Sequence, residues 1–164
     1  MVDQLVGRLF RHMAWANRRV LELLQSLPDH AIHFSAWNPD WTVGKLAHHI
    51  VISQGRLLSR ITREEVPPEI APPKLASEIS QLVGLSSEHD ARLLSLVGGY
   101  SDLPDAVQFG GKDKFRTSTI LIQAVHHASE HRVQIADTLA SNSLDVLNLD
   151  EIDLWAFERW ESTN

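Results

Sequence analysis

The chain has no cysteine among its 164 residues. It therefore cannot form disulfide bonds, a thiolate metal site or a cysteine nucleophile, and any thiol in its chemistry has to come from a second molecule. No apolar run approaches the ~20 residues that a membrane-spanning helix needs, and the N-terminus lacks a cationic segment followed by an apolar one. These absences predict a cytoplasmic protein without a membrane partner.

Positive charge is also scarce. The chain has 15 basic and 21 acidic side chains, a formal net charge of -6, and its longest basic cluster is Arg18-Arg19. Binding to a phosphate backbone needs a positive face, so we expect no nucleic-acid partner. The sequence contains no internal repeat, and with 43% hydrophobic residues it suits a single domain over residues 1–164.

Helical periodicity dominates the sequence. Apolar residues at three-four spacing predict helices over residues 3–27, 42–61, 74–97 and 117–140. Thr42 is the predicted N-cap of the second helix, and Thr117 or Ser118 that of the fourth. No segment has a convincing strand pattern. The sequence therefore predicts an all-α protein, a four-helix bundle.

The segments between these helices differ in character. Four prolines separate the second helix from the third, which predicts a stiff link. A stretch of about 20 residues with glycine pairs predicts a long irregular loop between the third and fourth helices, long enough to shape a pocket mouth. Residues 144–160 form a tail in which we expect one short helix after Asp150.

Two histidines, His127 and His131, stand one turn apart on the fourth predicted helix. At about 100° per residue they share a face with Ala124 and Ile135, whereas His126 projects away from it. Two imidazoles four residues apart can reach one ion, and burying them together without a partner would be costly. The pair by itself fits either a divalent-metal site or polar core positions that are satisfied by hydrogen bonds.

A metal site of this kind usually needs a third protein ligand. On the second helix, His49 flanks the apolar stripe and His48 points nearly opposite, so we interpret His48, like His126, as a solvated neighbour. On the third helix, His89 lies close to the inner stripe. Periodicity prefers His49 to His48 but leaves both His49 and His89 open as the third ligand.

A family resemblance separates these two. The segment Trp41-Thr42-Val43-Gly44-Lys45-Leu46-Ala47-His48-His49 resembles the start of the second helix in the DinB-like (YfiT-like) superfamily, where a histidine follows a tryptophan by eight positions. The segment from His127 to Ile135 is similar to the second signature of that superfamily, two histidines four apart followed by Arg-x-Gln-Ile. Trp15-Ala16-Asn17 and Leu154-Trp155-Ala156-Phe157 resemble further elements of one branch, so the resemblance spans nearly the whole chain.

The resemblance implies a four-helix bundle, often dimeric, in which three histidines bind nickel, zinc or a related divalent ion. By motif position these metal ligands are His49, His127 and His131. Some relatives are S-transferases or isomerases that use low-molecular-weight thiols such as bacillithiol, mycothiol or glutathione. We therefore expect a homodimer with a small-molecule substrate and a thiol co-substrate.

Three functions fit such a site. The first is metal-assisted transfer to a thiol, the second is hydrolysis by a metal-bound hydroxide, and the third is a non-enzymatic, metal-stabilised binding or stress protein. Residues 127–131 also match the inverted zinc-peptidase pattern H-x-x-E-H, with Glu130 as general base. We disfavour the peptidase hypothesis because Glu130 projects roughly 80° or more from the shared direction of the two histidines.

Two further polar residues lie within the helical segments. Asn17 stands among apolar residues, and we interpret it as a buried hydrogen-bonding residue. We expect Arg132 to pair with a nearby carboxylate or to cover the end of the bundle. Neither residue indicates a catalytic role.

Overall fold

The computed structural model describes residues 2–66, 68, 70–109, 111 and 113–163, and for residues 2 and 3 it describes the backbone alone. The four long helices are α1 (Val2–Gln25), α2 (Val43–Thr62), α3 (Ile79–Gly98) and α4 (Thr117–Ser141). A short helix α5 (Leu154–Glu161) follows, as expected for the tail. Strands β1 (Ala106–Gln108) and β2 (Lys114–Arg116) lie between α3 and α4. Single 3-10 turns occupy Asp29–His33, Ala76–Glu78, Tyr100–Asp102 and Leu149–Glu151.

The predicted all-α bundle is confirmed, and its packing order places α1 and α2 at opposite corners. Helix α1 packs mainly against α3 and also against α4, while α2 packs against α4 and α3. Met13, Leu46, Leu93 and Ile135, one from each long helix, are buried in the shared core. Helix α5 packs on α1. Among the described residues, no helix combines the length and apolarity needed to cross a bilayer.

The starts of α2 and α3 follow local side-chain chemistry. Thr42 caps α2 as predicted, since its Oγ1 accepts a hydrogen bond of 3.3 Å from the backbone N–H of Lys45. Helix α3 begins at Ile79, five residues later than the sequence predicts. The Glu78 carboxylate accepts the backbone N–H of Lys74 at 2.6 Å and so holds a 3-10 turn ahead of the helix.

The region before α4 corrects two predictions. The expected irregular loop contains a hairpin, in which β1 and β2 pair antiparallel with Val107 opposite Phe115. Strands of three residues are too short for an alternating pattern to show in the sequence. The predicted cap at Thr117 or Ser118 is also wrong: Arg116 is the N-cap, and the Thr117 hydroxyl donates to the Pro104 carbonyl. The hairpin thus leads directly into α4, and β1 contacts α2.

Candidate metal centre

Three histidines from two neighbouring helices converge at one point of the bundle. His127 Nε2 lies 3.0 Å from His49 Nε2 and 3.1 Å from His131 Nε2. The potential ligand atoms of all three lie within 4.8 Å of one another, and each residue is half-buried. The structure therefore brings together the three residues that the resemblance indicated. In the described part of the chain, no other three histidine, aspartate or glutamate side chains form such a group.

Gln134 fixes the orientation of one of these rings. His131 Nδ1 lies 2.6 Å from Gln134 Oε1, and both residues project from α4. An amide oxygen only accepts hydrogen bonds, so Nδ1 carries the proton and Nε2 keeps its lone pair toward the cluster. Sequence reasoning assigned no role to Gln134, although its spacing of three from His131 on a helix was a usable signal.

Trp41 walls the cluster on one side. Its ring lies nearly parallel to that of His131, with centroids 6.0 Å apart and an interplanar angle of 11°. Its centroid also lies 5.1 Å from that of His49, edge to face. Trp41 immediately precedes the N-cap Thr42, so the start of α2 determines where this wall lies.

Burial and repulsion from nearby charges keep the imidazoles of His49 and His127 neutral. Desolvation, followed by the charges of His127, His131 and Arg56, lowers the pKa of His49 to about 4. Desolvation and then the charge of His131 lower the pKa of His127 to about 4 as well. A neutral imidazole is the form that ligates a metal, so at pH 7 these two side chains are in the binding state without losing a proton.

The donor set fits a metal ion. His127 Nε2 lies 3.0 Å from His49 Nε2 and 3.1 Å from His131 Nε2, and these three nitrogens cannot all be satisfied by one another, because each contact needs a donor and an acceptor. One cation would use all three lone pairs. Two imidazole nitrogens bound at about 2.1 Å to one tetrahedral ion are about 3.4 Å apart, close to the observed spacing.

The other histidines weighed as ligands or neighbours lie outside the cluster. His89 is buried on α3, where its Nδ1 donates to the Val51 carbonyl at 3.1 Å and its ring packs against Gly55. It therefore lies outside the cluster. His48 is half-buried, not solvated as expected, because its Nε2 donates to the Ile70 carbonyl at 2.7 Å. His126 is exposed, as predicted.

The peptidase-type base is also absent from the cluster. Glu130 is exposed and does not belong to the group of potential ligands. A general base has to reach the reacting atoms directly or through one water molecule. Residues 127–131 therefore match the H-x-x-E-H sequence pattern without placing its glutamate where a peptidase needs a general base.

A buried polar network begins at the residue after His131. Arg132 is 5% exposed, and its Nη1 donates to Asn17 Oδ1 at 2.6 Å. The buried hydrogen-bonding role predicted for Asn17 is confirmed, since its amide oxygen accepts from Arg132. The carboxylate expected near Arg132 is Asp90, which interacts with it through charge. Desolvation lowers the pKa of Arg132 to about 10, and the negative charge of nearby Asp90 partly opposes this shift.

Asp90 is itself an unusual carboxylate. It is 7% exposed and accepts hydrogen bonds from Gln54 Nε2 at 3.0 Å and from Ser86 Oγ at 3.1 Å. Desolvation outweighs these bonds and the charge of Arg132, and raises the pKa of Asp90 to about 6. The network therefore includes residues of α1, α2, α3 and α4, and its α4 member, Arg132, directly follows His131 of the cluster.

Fold and site together define an all-α bundle with a three-histidine cluster, on two adjacent helices, that could hold a metal ion. The sequence model of the DinB family matches residues 1–150, and the chain therefore belongs to the DinB family. The match ends before α5. No curated protein and no solved structure matches the chain.

Proposed function

We propose that the chain is a divalent-metal-dependent enzyme, a thiol-dependent S-transferase that acts on small electrophiles. The observation that carries this proposal is the convergence of one potential ligand nitrogen from each of His49, His127 and His131 within 4.8 Å. Membership of the DinB family supports it. Nickel and zinc are the proposed metals, since neutral imidazoles suit both.

The side chains around the cluster have distinct tasks in this proposal. A divalent ion, when bound by three neutral ligands, lowers the pKa of a thiol and so makes thiolate available near pH 7. Gln134 holds the His131 ring in its ligating tautomer, and Trp41 excludes water from one side. The thiol gives its proton to solvent, its sulfur forms a bond to the electrophilic carbon, and the leaving group departs with the bonding electron pair.

Metal binding is tested by elemental analysis of protein purified without an affinity tag. We expect close to one divalent ion per chain in the wild type and its loss in each of His49→Ala, His127→Ala and His131→Ala. His48→Ala and His126→Ala are matched controls, because each removes a neighbouring imidazole outside the cluster. Retention of metal in His49→Ala with loss in His89→Ala would contradict the assignment.

The reaction is tested on the metal-loaded protein. We expect consumption of bacillithiol, mycothiol or glutathione in the presence of a panel of small electrophiles, and its abolition by a chelator. Metal-loaded protein that consumes none of these thiols contradicts the transferase proposal. Chelator-sensitive turnover of esters without thiol would indicate a hydrolase, and metal that only raises the melting temperature would indicate a structural role.

A further inference from the structure

A cavity adjoins the histidine cluster in the groove between α2 and α4. It has a volume of about 250 Å³, and His127 forms part of its wall. On α2 the lining residues Ser53, Leu57 and Arg60 continue, at helical spacing, the face that carries His49.

The other side of the cavity comes from α4 and the hairpin region. Gln123 lies one turn before His127 on the same face of α4. Phe109, which directly follows β1, also lines the cavity. Through His127 the histidine cluster therefore borders a groove whose walls are two helices and an aromatic ring.

The polar lining of this cavity is positively charged. Arg60 is half-buried, and its guanidinium carbon lies 4.1 Å from the centre of the Phe109 ring, a stacked arrangement that restrains the side chain. Arg56 lines the same cavity and lies close enough to His49 for its charge to lower the pKa of that imidazole. None of the described residues that line the cavity is acidic.

Helix geometry favours a lean of these arginine side chains toward the cluster. Side chains on an α-helix lean toward its N-terminus, and His49 lies N-terminal to Arg56 and Arg60 on α2. The rise along α2 from residue 49 to residue 56 is about 10 Å. The side chains of the two arginines and a small ligand together can fill this distance. A guanidinium presents several N–H donors in one plane, which matches the oxygens of a carboxylate or phosphate.

We propose that this cavity binds the anionic group, a carboxylate or a phosphate, of a small substrate whose reactive atom reaches the histidine cluster. The inference rests on the proposed function in taking the cluster as the reaction centre. Arg60 is the main anion-binding residue, and Leu57 and Phe109 cover the apolar body of the ligand. The cavity thus selects anionic over neutral substrates.

The test compares ligands that differ only in charge. Isotope-labelled protein, metal-free and zinc-loaded, is titrated with 3-phenylpropionate, phenyl phosphate and the neutral 3-phenylpropanamide, and the backbone amide shifts of residues 53–60 are followed. We expect at least one of the two anions to bind at least ten times more tightly than the amide in both forms. Whichever of the two anions binds more tightly shows whether the cavity prefers a carboxylate or a phosphate.

Two variants make the result specific. Arg60→Gln should reduce the preference for anions to about twofold or less while leaving amide binding unchanged, and Arg60→Lys should keep part of it. Arg159→Gln is the matched control, since Arg159 is exposed on α5, which packs on the corner of the bundle opposite α2. Unchanged zinc content in Arg60→Gln shows that the cluster is intact.

Equal affinity for anion and amide in the wild type overturns the proposal. So does an anion preference that survives Arg60→Gln, because the zinc ion or another cation then supplies it. A clear preference in protein that consumes no thiol contradicts the transferase proposal alone. Thiol turnover without any preference contradicts the anion cavity alone.

Discussion

His131 and Gln134 lie three residues apart on α4, and the imidazole Nδ1 is 2.6 Å from the amide Oε1. This contact determines which nitrogen of His131 faces His127. Without it the ring could carry its proton on Nε2 and turn a hydrogen toward the cluster. In the proposed metal site, the amide would therefore support metal binding through His131 without touching the ion.

Loss of this contact should weaken metal binding without unfolding the bundle. We expect Gln134→Ala to lower zinc affinity by about 10- to 100-fold, as removal of the hydrogen-bond partner of a ligating histidine usually does. Gln134→Glu should restore most of the affinity, because a carboxylate also accepts from Nδ1. The measurement is competition for zinc against a chromophoric chelator, with the exposed Gln81→Ala as control. Equal affinity in all four proteins would exclude a role for Gln134.

Metal should stabilise the wild type and not the ligand variants. An ion that binds only the folded state stabilises it by about 4 kcal/mol at a free concentration of a thousand times Kd. We expect a melting temperature that rises with added zinc and falls on chelation in the wild type. The His131→Ala variant should melt at the same temperature with and without zinc. The exposed His126→Ala variant should behave like the wild type.

Gly55 marks a close approach between α2 and α3. A Cβ atom at this position would lie 2.7 Å from Cε1 of the buried His89 ring. Gly55→Ala should therefore displace the ring from the Val51 carbonyl and destabilise the fold by about 1–3 kcal/mol, measured by urea unfolding. The matched control is Gly84→Ala on α3, where a Cβ meets nothing within 4 Å and a gain of about 0.5–1 kcal/mol is expected. A double variant with His89→Ala should lose most of the penalty if the ring is its cause.

Asp90 should oppose folding as the pH rises. Its pKa is raised from 3.8 to about 6 by burial, so between these values the folded protein keeps a proton that the unfolded chain has lost. The stabilising contribution is complete below pH 3.8 and is lost as the pH passes 6. In Asp90→Asn this loss is absent.

The test is a difference between two pH profiles. The free energy of unfolding of metal-free Asp90→Asn, minus that of the wild type, should rise by about 2 kcal/mol between pH 4 and pH 6.5 and stay level above. Urea unfolding at each pH supplies both values, and subtraction cancels contributions from the histidines. A difference that is constant over this range would mean that Asp90 ionises in the folded state as it does in the unfolded chain.

Much of the architecture was encoded in short stretches of sequence. The helices α1, α2 and α4 follow from apolar spacing of three and four, and the Thr42 cap from one residue type at one position. The pairing of His127 with His131 is equally local, because a helix fixes the relation of residues four apart. The hairpin was missed because Ala106–Gln108 and Lys114–Arg116 are too short to carry a pattern.

The resemblance indicated His49 as the third histidine, but the physical reason for that choice lies in the tertiary structure. His49 and His89 both lie near the inner faces of their helices, and periodicity left both open. What separates them is the packing order. Helix α4 packs against α2, whereas α3 lies diagonally opposite α4 and packs against α1 and α2. Only His49 can therefore meet His127 and His131. Periodicity could not make this choice, because no local rule states which helices become neighbours. The sequence by itself determined the helices and the histidine pair, and the contacts between helices decided the site.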